Sequence, residues 1–311
     1  MRIPTFVREY VPLASHTTFG IGGAARWFAE PSTRDEVSEA FRFARAVHAP
    51  LKVLGGGSNI LVSDAGVDAV VLRLSPSGEF GRMEQDASDP LVWRAGAAVP
   101  LQALVGETAR LGVAGLEGLA GIPGAVGGAV CMNCGSAADG IGRFVEWAEV
   151  CRADGECVRM ERDALSFGYR TSALRGLAAM SVSFRFAGRD EPDAILGRMR
   201  ERREAKKAGQ PLAVPSCGCI FKNPAGASAG MLIDAAGCGG MREGGAEVSG
   251  IHANFIVNRN KATCRDVCVL ANAVREKVRS AHGVLLEPEV VYWGVAEDLG
   301  CCRGSMHVDN R

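Results

Sequence analysis

No excess of one charge marks this chain: Lys plus Arg and Asp plus Glu number 35 each, a formal net charge of zero. Without a basic field, nothing gathers nucleic acid or an anionic membrane surface. The one local basic stretch, Arg198 to Lys207, reads as a solvated helix face or a linker. No run of about 18 apolar residues occurs, so no membrane-spanning helix is expected. The opening residues, MRIPTFVREYVPLASH, carry no apolar core of the length a secretory signal needs. The expectation is a cytoplasmic protein whose thiols stay reduced. No Gly-Lys-Ser/Thr follows any glycine cluster, which excludes a Walker loop, and no internal repeat is present. The GIGG at Gly20 has neither a preceding buried strand nor an acidic residue at the offset a dinucleotide fingerprint requires.

Glycine is what the chain has in quantity: 40 residues, gathered into clusters. They stand at Gly20–Gly23, Gly55–Gly57, Gly121–Gly128 and Gly237–Gly245, separated by apolar runs. Consecutive glycines let backbone N–H groups converge on an anion, and in Gly55-Gly56-Gly57-Ser58-Asn59 two side-chain donors follow. A second loop, Gly121-Ile122-Pro123-Gly124-Ala-Val-Gly127-Gly128, offers the same on another side of a ligand. Two such loops from consecutive α/β units suit a diphosphate; either one alone reads equally as a plain turn. Eleven cysteines are mostly small buried hydrophobes. Cys131-x-x-Cys134 and Cys217-x-Cys219 together formally offer four thiolates for zinc, but the paired knuckle geometry is missing and no metal is expected.

Apolar and polar patterning divides the chain. Ser32 and Thr33 ahead of Asp35 and Glu36 predict a helix start, with Val37, Ala40, Phe41 and Ala44 on its inner face. Short strands are expected at 51–54, 60–62, 68–74, 91–95, 145–151, 156–160 and 178–186. Helices are expected at about 100–111, 190–207, 229–236 and 263–282, and late strands at 247–249, 254–257 and 290–293. The segments expected are 1–75, 76–200 and 201–296, with a tail at 297–311.

Eight pieces then occur in order: TTFGIGGAA from Thr17, LGGGSNILVSD from Leu54, GLEGLAGIPGAVGGAVCMNCGS from Gly115, FGYRTS from Phe167, PSCGCIFKNP from Pro215, AGMLIDAAG from Ala229, HANFIVN from His252 and LEPEV from Leu286. In that order and spacing, over about residues 5–295, the chain resembles the UDP-N-acetylenolpyruvoylglucosamine reductases. HANFIVN, without a long inserted loop, resembles the shorter of the family's two types.

The resemblance implies an α+β fold. A FAD-binding domain of the p-cresol methylhydroxylase/vanillyl-alcohol-oxidase type, built of two α/β subdomains, would precede a C-terminal α+β substrate-binding domain. It implies FAD and NADPH as cofactors and UDP-N-acetylglucosamine enolpyruvate as substrate, in a monomer or weak oligomer. Flavin-binding positions fall on the glycine loops. Arg170 matches the family's arginine and Glu289 its glutamate, and both would meet the charge that hydride addition pushes onto the substrate carboxylate. Tyr169, Lys222 and Asn223 fall on substrate-binding positions. The acid position, usually serine, is Cys219 here. A thiol, with an ordinary pKa near 8.5, is a far stronger acid than an alcohol, so proton donation survives the exchange while hydrogen bonding weakens. Packing filler, or partnership with Cys217, are the other readings of Cys219. A second departure is Gly239, where the family carries a lysine; Arg242 is the nearby cation. His252 reads as a packed histidine ending a turn. The rival classes are a flavin hydroxy-acid oxidase of the same fold and a thiolate-metal protein.

Overall fold

The computed structural model describes residues 2–136 and 139–295; the expected tail and its Cys301-Cys302 pair lie outside the described residues. In chain order the strands and helices are β1 (Val7–Pro12), β2 (Ala24–Ala29), α1 (Arg34–Ala46), β3 (Leu51–Val53), β4 (Ile60–Val62) and β5 (Val67–Leu72). Then come β6 (Met83–Gln85), β7 (Val92–Gly96), α2 (Leu101–Arg110), β8 (Val113–Ala114), α3 (Val126–Cys131), β9 (Val145–Cys151), β10 (Cys157–Glu161), β11 (Ala178–Arg185) and β12 (Gly188–Arg189). The last are α4 (Pro192–Gly209), β13 (Ser216–Cys219), α5 (Ala229–Ala235), β14 (Arg242–Glu243), β15 (Ala246–Val248), β16 (Phe255–Asn258), α6 (Cys264–His282) and β17 (Val291–Trp293).

The chain forms two compact units. The first is residues 1–10, 26–56 and 68–206; the second is 11–25, 57–67 and 207–311. In the first, one sheet runs β1-β2-β5-β3 and the other runs β10-β9-β11-β7-β6. The Thr33 side chain caps α1 by accepting from the Glu36 N–H, and Val37, Ala40, Phe41, Phe43 and Ala44 are buried. A single core joins α1 to α2 and the five-stranded sheet through Phe41, Leu104, Ile141, Val182 and Phe184.

The second unit is built around a sheet ordered β13-β16-β15-β14. α6 packs Val267, Cys268, Ala271, Val274 and Val278 into its core, which also takes Phe19, Ile21 and Leu61. β17 lies parallel to β4, Val291 opposite Ile60. The α6 N-terminus has a capping box of Thr263 and Asp266, and Gly283 ends it in a left-handed conformation at φ +69°. Asp64 accepts from the N–H groups of Cys264 and Arg265 at the same end.

Candidate active site

The glycine loops of the first unit touch through backbone. A methyl added to Gly56 would stand 2.6 Å from the Gly124 Cα, and one on Gly55 would stand 3.5 Å from the Gly128 Cα. Side chains are excluded where the loops meet, while a methyl on Gly128 would meet nothing within 4 Å. The space beside Gly128 is open, and the close-set glycine backbones leave room there for a diphosphate.

The second loop is held by side chains that the sequence reading missed. Gln102 Nε2 donates to the carbonyls of Leu119 and Ile122, both at 2.9 Å, and Gln102 Oε1 accepts from the Gly121 N–H at 2.8 Å. Lys206, from α4, donates to the Ala120 carbonyl at 2.6 Å, and burial pulls its ammonium below the ordinary lysine range. Ile122 is half-buried and Pro123 exposed. The stretch is not a loop throughout: Gly127 and Gly128 fall in the first turn of the six-residue α3, whose start is tied to the residue just after β7 by Gly127 N–H donating to the Ala97 carbonyl at 2.9 Å. A helix start was illegible there because glycines dominate it.

Gly57 belongs to the second unit. It is buried at φ +65°, and a side chain there would collide with the His16 carbonyl, 2.0 Å away. Ser58 is half-buried. Asn59 ties down the LEPEV segment: its Nδ2 donates to the Glu289 carbonyl at 3.1 Å, and its own carbonyl accepts from Val291 N–H at 3.0 Å.

Arg170 lies in the first unit at φ +56°, in a tight turn closed between Gly168 and Thr171. Its Nη1 donates to the Gly135 carbonyl at 2.9 Å, and its guanidinium lies 5.6 Å from the ring of the exposed Tyr169. Asn133 clamps the turn, donating from Nδ2 to the Gly168 carbonyl and accepting at Oδ1 from Gly142 N–H, both at 3.0 Å. Arg175 donates to the Arg170 carbonyl at 2.9 Å. Burial pushes the neighbouring Cys134 thiol up to about 12, against the pull of Arg170 and Lys206.

Cys219 and Glu289 lie in the second unit, on adjacent backbone segments. Glu289 N–H donates to the Ile220 carbonyl at 2.8 Å, and Lys222 N–H donates to the Glu287 carbonyl at 2.8 Å. Cys219 is half-buried at the end of β13, opposite Phe255. An irregular register between Ser216 and Cys219, with Gly218 at φ +82°, breaks the alternation of side chains there. The buried Cys217 thiol is pushed well above the ordinary range by burial, and further by Cys219 and Glu289 beside it. Asn254, another residue missed in the sequence, is 3% exposed and locks this segment. Its Oδ1 accepts from Phe221 N–H at 3.0 Å and its Nδ2 donates to the Phe221 carbonyl at 2.8 Å.

Asn223 Oδ1 accepts from the Ala229 N–H at 2.9 Å, holding the loop ahead of α5, and Lys222 pairs with Glu287 at 3.3 Å. The Arg242 guanidinium pairs with Glu247 at 2.7 Å. His252 packs edge-on against Phe255 and accepts from Asn254 N–H at Nδ1; burial lowers its pKa. Among the described residues, no cluster of three or more His, Cys, Asp or Glu stands ready to hold a metal ion, and no helix is long and apolar enough to cross a membrane.

Known proteins share this organisation. Residues 25–161 match the family profile described as FAD binding domain. Residues 210–293 match that described as UDP-N-acetylenolpyruvoylglucosamine reductase, C-terminal domain. The chain is 41% identical to UDP-N-acetylenolpyruvoylglucosamine reductase 2 of Symbiobacterium thermophilum over 94% of each chain. It is 38% identical to the reductase of Parasynechococcus marenigrum over 94% of this chain and 97% of that one. The crystal structure of the Thermus caldophilus reductase superposes with a TM-score of 0.79 at 42% identity, covering 93% of this chain and all of that one.

Proposed function

The chain belongs to the UDP-N-acetylenolpyruvoylglucosamine reductase family, and on that premise we propose how its own residues carry the reaction. It is an NADPH-dependent FAD enzyme that reduces UDP-N-acetylglucosamine enolpyruvate to UDP-N-acetylmuramate, a peptidoglycan precursor. The flavin, when bound, passes hydride from NADPH to the vinyl carbon of the substrate. Gly55, Gly56, Gly124 and Gly128 would hold its diphosphate, with Gly121, Ile122, Pro123 and Gly127 shaping the second loop and Gly57, Ser58 and Asn59 the first.

Hydride addition pushes negative charge onto the carboxylate-bearing carbon and gives an enolate. Arg170 is permanently charged and stabilises that charge as it develops. Glu289, set beside Cys219 by its bond to Ile220, polarises the substrate carboxylate from the acid's side. Cys219 gives its thiol proton to the carbon, and the thiolate is reprotonated from solvent before the next turnover. Tyr169, Lys222 and Asn223 each contact the substrate. Asn223 does so through the Ala229 loop it holds, and Lys222 through an ammonium that exchanges Glu287 for a substrate oxygen. The Asn254 clamp is the observation that best supports this assignment. It places a fully satisfied buried polar network under the one strand segment that carries Cys219.

Separate half-reactions test the acid. With Cys219→Ala, NADPH should reduce the flavin at the wild-type rate, while reoxidation by the enolpyruvyl substrate slows by about 10²-fold or more. Cys219→Ser should recover much of that loss. Unchanged reoxidation in Cys219→Ala would falsify the role. The reaction is placed in the reducing cytoplasm, where NADPH and UDP-sugars are at hand. The enzyme works as a monomer or weak oligomer.

A further inference from the structure

β9 and β10 form a hairpin around residues 152–156, and its register sets Cys157 directly opposite Cys151. The hairpin closes with Arg152 N–H donating to the Glu156 carbonyl and Gly155 N–H donating to the Arg152 carbonyl, both at 2.9 Å. Hydrogen-bonded and non-hydrogen-bonded pairs alternate along an antiparallel ladder, so the next pair, Cys151–Cys157, is of the second kind. The Cα atoms of such pairs lie about 4.5 Å apart and their side chains share one face. That spacing falls within the roughly 4.4–6.8 Å that a disulfide spans.

The two thiols act on one another, the Cys157 side chain adding to the upward push on Cys151. Cys157 Sγ also stands 3.4 Å from Ser38 Oγ, on α1, and 4.0 Å from Met180 Sδ, on β11. The two thiols differ in access, Cys157 exposed and Cys151 buried. Burial pushes Cys151 up to about 12, with the contact from Cys157 adding to it, so Cys151 waits as a thiol while its exposed partner meets solutes. Among the described residues, no other two cysteines stand opposite one another in a strand ladder.

We propose that Cys151 and Cys157 are a redox-responsive dithiol that a peroxide converts to a cross-strand disulfide. The Cys157 thiolate attacks a peroxide oxygen. An S–O bond forms, the O–O bond breaks, and with one proton a water leaves, giving the sulfenic acid. Cys151 attacks that sulfur, the S–S bond forms, and the oxygen leaves as a second water. Two thiols are oxidised by two electrons and one hydrogen peroxide is reduced to two waters. A loop this short constrains the unfolded chain little, so the bond yields readily to thiol reductants.

Peptide mapping of the full-length holoenzyme decides it. The protein is treated with hydrogen peroxide, alkylated and digested with trypsin without reduction. Cleavage after Arg143, Arg152 and Arg159 leaves Cys151 on peptide 144–152 and Cys157 on peptide 153–159, so a disulfide alone joins them. Cys217 and Cys219 fall together on peptide 208–222 and do not confuse the reading. The joined species should appear with peroxide, take up most of both peptides, and vanish with reductant. In Cys151→Ser, Cys157 should stop at a sulfenic acid that dimedone traps, and then pass to the sulfinic acid. The proposal is overturned if peptide 153–159 of the wild type stays unmodified, or carries sulfinic acid, while no joined species forms.

Discussion

Arg170 holds a conformation that glycine or asparagine adopts more readily: φ is +56° at the third position of its turn. That costs on the order of 1 kcal/mol and persists because the surroundings over-determine it. Arg175 fixes its carbonyl, Asn133 fixes the carbonyl of Gly168, and Gly135 receives the guanidinium. Asn133→Asp separates these supports. It keeps the oxygen that accepts from Gly142 and the tolerance for positive φ at Asn133 itself, +43°, but removes the donor to Gly168. Turnover should fall by about 10²-fold, the penalty for misplacing a reacting group by about 1 Å, with little change in melting temperature. Steady-state kinetics beside calorimetry would show it; wild-type kcat would mean the clamp positions nothing. Arg170 stood out in the sequence through its motif. Asn133, Gln102 and Asn254 did not, because their partners lie 9 to 35 residues away and only the fold brings them in.

Helices with caps and an apolar stripe were legible, α1 at its start and buried face and α6 nearly to the residue. α3 was not, since its VGGAVC carries no cap and too few turns for a period. β1 and β2 were missed as well, because their burial does not alternate cleanly. Gly128 of α3 offers a test that separates flavin binding from folding. A methyl there meets no protein atom within 4 Å and replaces glycine in a helix, which favours folding by up to about 1 kcal/mol. Gly128→Ala apoprotein should therefore melt at or above the wild-type temperature yet retain less FAD, read by flavin absorbance after gel filtration. Full retention would move the diphosphate away from α3.

α6 carries the second element-scale prediction. Burial pushes the Asp266 carboxyl up, but hydrogen bonds from the Thr263 and Gly245 N–H groups and from the Thr263 side chain outweigh it, and the pKa ends below the usual range. The native state thus binds this proton more weakly than the unfolded chain. Its contribution is present above pH about 4 and is lost as pH falls through the native value. Asp266→Ala should cost on the order of 1 kcal/mol at pH 7, the usual worth of a cap. The gap in melting temperature to wild type should narrow near pH 3. A gap of equal size at both pH values would show that the ionised carboxylate is not its source.

At the scale of the whole molecule, a linear reading gives contiguous segments, whereas the second compact unit is assembled from three stretches of chain. Local pattern cannot reveal this, because the motifs TTFGIGGAA and LGGGSNILVSD read as pieces of the domain around them in sequence. Their side chains complete another core. Phe19, Ile21 and Leu61 are 0%, 3% and 1% exposed within the cluster built on α6. Asn258 Nδ2 donates to the Phe19 carbonyl at 3.1 Å, and Thr18 Oγ1 donates to the Ser216 carbonyl at 2.7 Å. β4 is the ladder partner of β17. Burying each large apolar side chain is worth about 1.5–3 kcal/mol, so losing three removes an amount comparable with the roughly 5–15 kcal/mol stability of a whole domain. A fragment of residues 207–311 should therefore show no cooperative thermal transition by circular dichroism, while the full chain unfolds sharply. A sharp transition in the fragment would mean that β4 and the residues around Phe19 decorate a domain able to stand without them.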